Sequence, residues 1–293
     1  MIKAQPTVKT ELRWDSDRLK LSGSDTPRLD AEVILAEIMS VDRDKLPIYY
    51  DTFLSKDVSD TYTNNVGRRI QKEPVAYITG YKEFWSLRFS ITREVLIPRP
   101  ETELVVEETL MEYAASNSAI TTAAILELGT GSGAIAVSLA RELKAALIFA
   151  NDISFNIIKV AKENAVTHNA DRNIRFFVGN YLSALETHND CFDFIISNPP
   201  YLSEADWENA QPEIKNYEPS DSLVGGQDGL LFYRTIATNV NRLLKSDGWL
   251  ILEIGSEQSE DVIRIIEKCG IYKKAELIND LAGMPRVVKA QKR

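Results

Sequence analysis

Ala124-Ile125-Leu126-Glu127-Leu128-Gly129-Thr130-Gly131-Ser132-Gly133-Ala134 is the stretch on which the fold turns. A short apolar run that stops at glycine reads as a buried strand, and helical spacing resumes from Ala134 to Leu143. The glycines between them allow a tight turn and let backbone N–H groups come close to a ligand. Outward from this unit the pattern repeats. Strands are expected at Ala145–Ala150, Ile174–Val178, Phe192–Ser197 and Trp249–Glu253, with helices at Ser154–Thr167 and Leu230–Leu244. Such alternation predicts an α/β, Rossmann-like fold: a mostly parallel sheet covered on both faces. In sheets of this kind ligands sit beyond the carboxyl ends of the strands.

Two segments fall at such ends. The first is the glycine loop itself, whose spacing fits both a dinucleotide fingerprint and an S-adenosylmethionine loop. Asp152, closing the second strand, stands where a carboxylate would accept from both hydroxyls of a ribose. Glu127, two residues before the first glycine, favours a cationic ligand over a pyrophosphate. Asn180 and Tyr181 follow the third strand and are placed to cover an adenine ring, Asn180 by hydrogen bonding and Tyr181 by packing.

The second segment is Asn198-Pro199-Pro200-Tyr201. Proline fixes its own φ and pushes the preceding residue away from the helical region, so the turn is rigid. An amide side chain, carbonyl oxygens in set directions and an aromatic face then stand together. Such a pocket suits a planar NH2 group, whose two hydrogens the oxygens accept while the ring stacks on its plane.

The 293 residues, 44% hydrophobic and 26% charged, are sufficient for one large globular domain and a small one. A net charge of −9 argues against a broadly phosphate-binding surface. Two cysteines and two histidines make neither a metal-ligand pattern nor a Ser-His-Asp triad, and no metal is expected. With no apolar leader and no run of about 20 apolar residues, a cytoplasmic protein is the expectation. Residues 1–75 read as a small helical domain, with apolar spacing after Thr26-Pro27 and further helical stretches at Asp44–Tyr50 and Lys56–Gln71. Residues 76–95 read as a hairpin linker, and 96–293 as the catalytic domain. Pro100-Glu101-Thr102-Glu103 opens a helix with acidic residues in its first turn. Arg99, mounted between two prolines, is expected to face a ligand.

The loop from Glu127 to Gly133, then Asp152, then Asn198 to Tyr201, resembles the S-adenosylmethionine-dependent amino-methyltransferases. More narrowly, the chain resembles the HemK family, the release-factor glutamine methyltransferases. Further support comes from Glu73-Pro74-Val75-Ala76-Tyr77-Ile78-Thr79-Gly80, from Ile97 to Glu103, from Glu218-Pro219 with Gly225-Gly226-Gln227-Asp228-Gly229, and from Ala282 to Val288. The resemblance implies a helical N-terminal substrate-recognition domain and a seven-stranded class I methyltransferase domain. It implies S-adenosylmethionine held by Glu127, Gly129, Thr130, Gly131, Ser132, Gly133, Asp152, Ile153, Asn180, Tyr181 and Asn198, with Asn198, Pro199, Pro200 and Tyr201 at the acceptor. The implied substrate is the glutamine of the Gly-Gly-Gln loop in class I peptide-chain release factors, bound by a monomer with no stable nucleic-acid partner and no membrane. Gly225-Gly226-Gln227 belongs to the enzyme's own Gly-Gly-x-Asp-Gly segment and is not read as that loop. Asn180 stands where the family usually has Asp, and Tyr181 where it more often has tryptophan.

The same pocket suits adenine N6 or cytosine N4, which makes a nucleic-acid methyltransferase the main alternative; the acidic composition and the lack of a large basic domain weigh against it. A dehydrogenase would share the loop but has no use for the Asn-Pro-Pro-Tyr turn.

Overall fold

The computed structural model describes residues 5–116, 122–180, 185 and 189–293. The chain divides into two compact units, Met1–Tyr81 with Gln211–Tyr217, and Lys82–Ala210 with Glu218–Arg293. Among the described residues no helix is long and apolar enough to cross a membrane.

The first unit is helical, with α1 (Val8–Leu21), α2 (Pro27–Met39), α3 (Lys56–Ile70) and the short α4 (Val75–Thr79). Thr7 caps α1 through a reciprocal bond with Thr10, and Pro27 opens α2, where its missing N–H costs nothing. Val8, Leu12, Leu19, Ile34, Leu35, Tyr62 and Val66 form the core. One buried ion pair crosses it, Arg69 Nε donating to Asp30 at 2.7 Å, and the Ser24 and Thr26 hydroxyls also donate to Asp30. The expected helix at Asp44–Tyr50 is a 3-10 turn over Arg43–Tyr49, because Pro47 has no N–H for an α-helical ladder. Glu73 takes a two-pronged bond from Arg68 at 2.8 and 2.9 Å, which explains that acid at the head of its motif.

The second unit opens with the hairpin β1 (Tyr81–Phe84) and β2 (Leu87–Ser90), followed by α5 (Glu103–Ala115). Then come β3 (Ala124–Leu128), α6 (Ala134–Glu142), β4 (Leu147–Asp152), α7 (Phe155–Thr167), β5 (Ile174–Val178) and β6 (Phe192–Ser197). After α8 (Glu204–Glu208) and α9 (Pro212–Tyr217), the latter counted with the first unit, follow α10 (Leu231–Asn239), β7 (Leu244–Glu253), α11 (Ser259–Lys268), β8 (Glu276–Asn279) and β9 (Pro285–Gln291). The seven strands lie in the order β5-β4-β3-β6-β7-β9-β8, and β9 runs antiparallel to both of its neighbours. Ile125, Leu126, Ile195, Ile196, Leu250 and Ile251 are fully buried, as a sheet covered on both faces requires.

The register positions the site. Leu128 pairs with Asn151 on one side and with Ser197 on the other, and Ser197 pairs with Leu252. The exits of β3, β4, β6 and β7 therefore end in one row. The chain steps from β3 outward to β4 and β5, then returns to place β6 on the other side of β3. This reversal of strand order leaves a crevice where ligands bind in open α/β sheets.

Candidate active site

The loop after β3 is held from three directions. Its Thr130 N–H donates to the Asn151 carbonyl at 2.8 Å, and its Gly131 N–H to Asp152 Oδ2 at 3.0 Å. The Thr130 hydroxyl donates to Glu127 Oε2 at 2.8 Å, and Asn164 Nδ2 to the Ser132 carbonyl at 2.9 Å. Gly133 has φ +81°, a backbone that strains other residues, and a Cβ there would also lie a tight 3.2 Å from Ala161, so loop and α7 favour glycine here. Burial pushes the Glu127 carboxyl up to about 8; the Thr130 bond opposes this and the charge of Asp152 adds to it. Burial also raises Asp152, against the N–H bonds from Gly131, Ile153 and Ser154. Two carboxyls beside which no cation stands among the described residues suit a ligand that brings positive charge and hydroxyl donors.

Beyond Asp152, the Ile153 side chain is 65% exposed. Asn151 Nδ2 donates to the Gly179 carbonyl at 3.1 Å, and the Gly179 N–H to the Asp152 carbonyl at 3.0 Å, which brings exposed Asn180 beside the β4 exit. Tyr181 lies outside the described residues.

At the β6 exit, the Ser197 hydroxyl donates to the Leu128 carbonyl at 2.8 Å and ties the two loops together. Pro199 and Pro200 are buried, and Tyr201 is half-buried. Gln258 Nε2 donates to the Tyr201 carbonyl at 2.8 Å, while Leu202 pairs with Leu223 and Gly225 through backbone bonds of 2.8 Å each. A Cβ at Gly225 would lie 2.5 Å from the Pro200 carbonyl oxygen, and one at Gly229 2.3 Å from that of Tyr201. The Gly-Gly-x-Asp-Gly segment is thus the floor against which the turn is pressed. Asn198 Nδ2 donates to the Thr102 hydroxyl at 3.1 Å. Among the described residues no donor reaches Asn198 Oδ1 or the Pro199 carbonyl oxygen.

Arg99, expected to face a ligand, instead donates from Nη2 to Glu218 Oε1 at 2.5 Å, and Glu218 also accepts from the Ile97 N–H. The rigid mount serves an internal clasp. Among the described residues no group of three or more His, Cys, Asp or Glu side chains is placed to hold a metal ion.

Residues 11–80 match the family described as the PrmC N-terminal domain, and residues 107–214 the methyltransferase small domain. A release factor glutamine methyltransferase of Geobacter sulfurreducens is 37% identical over 96% of this chain and 95% of its own length. That of Bacillus cereus is 33% identical over 97% of this chain and 99% of its own. The chain belongs to the release factor glutamine methyltransferase family. It is also 36% identical to a bifunctional methyltransferase of Rickettsia typhi, of whose length it spans 57%. Of solved structures, the hMettl16 catalytic domain covers 80% of this chain and 82% of its own at TM-score 0.54 and 17% identity. A Pyrococcus furiosus methyltransferase covers 78% and 98% at 0.51 and 16%. At these identities the likeness is one of fold, and it is a methyltransferase fold.

In this release factor glutamine methyltransferase family member four further residues support the site. Buried Asn164 joins α7 both to the Ser132 carbonyl and to Ser90 of β2, donating to its carbonyl and accepting from its N–H. Gln258 follows β7 and holds Tyr201. Thr102 stands in a helix start, and nothing local marks its bond from Asn198. Glu253 closes an apolar strand just as Glu127 and Asp152 stand at the ends of theirs, and that signal was available. Burial pushes its carboxyl up to about 7, with hydrogen bonding from Thr102 opposing, the charge of Glu101 adding, and Arg286 and Arg99 opposing.

Proposed function

We propose that this chain transfers the methyl group of S-adenosylmethionine to the side-chain amide nitrogen of the Gly-Gly-Gln glutamine in class I peptide-chain release factors, and so acts in translation termination. The observation that carries this reading is the pair of unclaimed acceptors, Asn198 Oδ1 and the Pro199 carbonyl, on a turn fixed from below by glycines and Gln258. They accept the two N–H hydrogens of the substrate amide, and the Tyr201 ring lies along its plane. Burial, and next the charge of Glu253, raise the Tyr201 phenol, so it stays neutral.

S-adenosylmethionine, when bound, supplies an electrophilic methyl group on a sulfonium. Gly129, Thr130, Gly131, Ser132 and Gly133 would line its methionine portion, with the Glu127 carboxyl near at hand. Asp152 would take the ribose hydroxyls, Ile153 would pack on the adenine ring and Asn180 would meet its polar edge; Tyr181, assigned to the same ring, lies outside the described residues. An amide nitrogen is a poor nucleophile because its lone pair is delocalised. Acceptors on its hydrogens favour the charge that grows on nitrogen as the S–C bond breaks and the N–C bond forms, after which the nitrogen releases a proton to water. Residues 1–75 are assigned to substrate recognition, supported by exposed Trp14, Ile48 and Phe53; 76–95 serve as the hairpin linker and 96–293 as the catalytic domain. We read the enzyme as a cytoplasmic monomer.

The test is transfer of labelled methyl to a purified, unmodified release factor, beside one whose Gly-Gly-Gln glutamine is alanine, with DNA as a third acceptor. Label on the first alone is expected. Asn198→Ala should lower kcat about 100-fold, with cofactor affinity changed far less. Label on DNA alone, or unchanged turnover by Asn198→Ala, would sink the assignment.

A further inference from the structure

The segment from Ile97 to Glu103 carries a residue to which the proposed chemistry assigns no part. Thr102 is 4% exposed and touches the acceptor turn through one bond, Asn198 Nδ2 to its hydroxyl. On its other side stands Glu253, 3% exposed, whose carboxyl is near enough to the Thr102 side chain for hydrogen bonding to lower its pKa, while among the described residues Glu253 Oε2 is buried without a partner.

We propose that Thr102 and Glu253 are positioning residues that set which end of the Asn198 amide faces the substrate. The inference rests on the reading of Asn198 as an acceptor for the substrate N–H. A primary amide has a donating and an accepting end of nearly equal size, so shape alone does not choose between its two orientations. A hydroxyl carries a single hydrogen. Given to the Glu253 carboxylate, that hydrogen is unavailable to Asn198, and the hydroxyl lone pairs can only accept. The Asn198 edge against Thr102 is then its NH2, and Oδ1 is left facing the acceptor pocket. A protonated Glu253 reverses the chain. It donates to Thr102, whose hydrogen turns to Asn198 and stabilises the opposite orientation. Two NH2 groups then confront one another across the pocket, and the substrate amide loses an acceptor.

The ionised carboxylate is therefore the active form. Around it stand Glu101 and Arg99 on the segment before α5, Arg286 on β9, and the Tyr201 phenol on the acceptor turn. Burial, with Glu101, outweighs the two arginines, so Glu253 titrates near neutrality. Activity is then full above that range and lost as pH falls through it.

The test uses the whole enzyme with unmodified release factor. Thr102→Val keeps the shape and removes the hydroxyl; kcat should fall about tenfold, with both KM values within about twofold. Thr102→Ser should recover most of the loss. The acid limb of the wild-type kcat profile should disappear in Glu253→Gln, with cofactor binding by calorimetry reporting that the variant is folded. Wild-type kcat in Thr102→Val, no recovery by serine, or an acid limb that persists in Glu253→Gln would each overturn the relay. Asn198→Ala runs alongside. If it loses turnover while Thr102→Val does not, the relay alone fails; if Asn198→Ala keeps turnover, the underlying acceptor reading fails first.

Discussion

Gly229 shows what a single missing side chain does for this site. Its φ is +72°, and a Cβ would meet the Tyr201 carbonyl oxygen at 2.3 Å and the Gln258 amide at 2.6 Å. Gly270 has nearly the same backbone, φ +71°, but faces open space. Comparing alanine at the two positions separates conformation from crowding. Gly270→Ala should cost about 1 kcal/mol in denaturant unfolding, from the left-handed backbone alone. Gly229→Ala should cost about 2–4 kcal/mol and, on the proposed role of the Asn198–Tyr201 turn, lower turnover more than cofactor affinity, because the added methyl displaces that turn. Equal effects at the two positions would show that the turn does not lean on this loop. The Gly-Gly-x-Asp-Gly segment could be picked out in the sequence, but not its task. Close approach depends on which backbone arrives opposite, and no local pattern carries that. Thr102 is a similar case: its hydrogen-bond partner Asn198 lies 96 residues away.

Among the elements, β3, β5 and β6 lie over the residues their apolar runs predicted, and Asp152 closes β4 as expected. β3 and β6 are buried on both faces, β5 is a half-exposed edge strand, and all three are bounded by polar or glycine residues, so their sequence signal is strong. β7 departs from its expected limits. It begins at Leu244, and Ser246-Asp247-Gly248 form a bulge between the pairs Phe192–Leu244 and Phe194–Trp249. Locally that tripeptide reads as a turn in the gap between the helix expected to end at Leu244 and the strand expected from Trp249; pairing with β6 on one side and β9 on the other overrides it. α11, absent from the expected elements, buries Val262 and Ile266 at helical spacing. α7 does more than cover the sheet, since Asn164 fastens it to the glycine loop and to β2 at once. Asn164→Ala should raise the cofactor dissociation constant about tenfold and lower stability by about 1–3 kcal/mol, by leaving the Ser90 backbone groups unpaired. Calorimetry and urea unfolding measure the two effects. A cofactor affinity unchanged in the variant would mean that the loop holds its shape without this bond.

For the whole molecule, the α/β class was legible because alternation of strand and helix runs through most of the chain. The division into units was not fully so. Gln211–Tyr217 lies deep in the catalytic sequence yet clusters with the N-terminal helices. There Glu213 accepts from Arg69 at 2.8 Å, and the Tyr217 hydroxyl donates to the Gln71 carbonyl at 2.8 Å. A polar heptapeptide carries no mark of such a destination. Glu213→Ala should destabilise the helical unit by about 1–2 kcal/mol, less than a wholly broken buried pair because Arg69 keeps Asp30. Hydrogen exchange in α3 would report the loss, and unchanged protection there would argue against it. The same threading bears on how the protein is made. About 130 residues separate the two pieces of the helical unit. At about 5–20 residues per second, the ribosome needs roughly 6–26 seconds to deliver the second piece after the first. During that interval Arg69 is without one of its two carboxylates, so the first domain synthesised waits until more than half of the second has been made before its own last contacts can form.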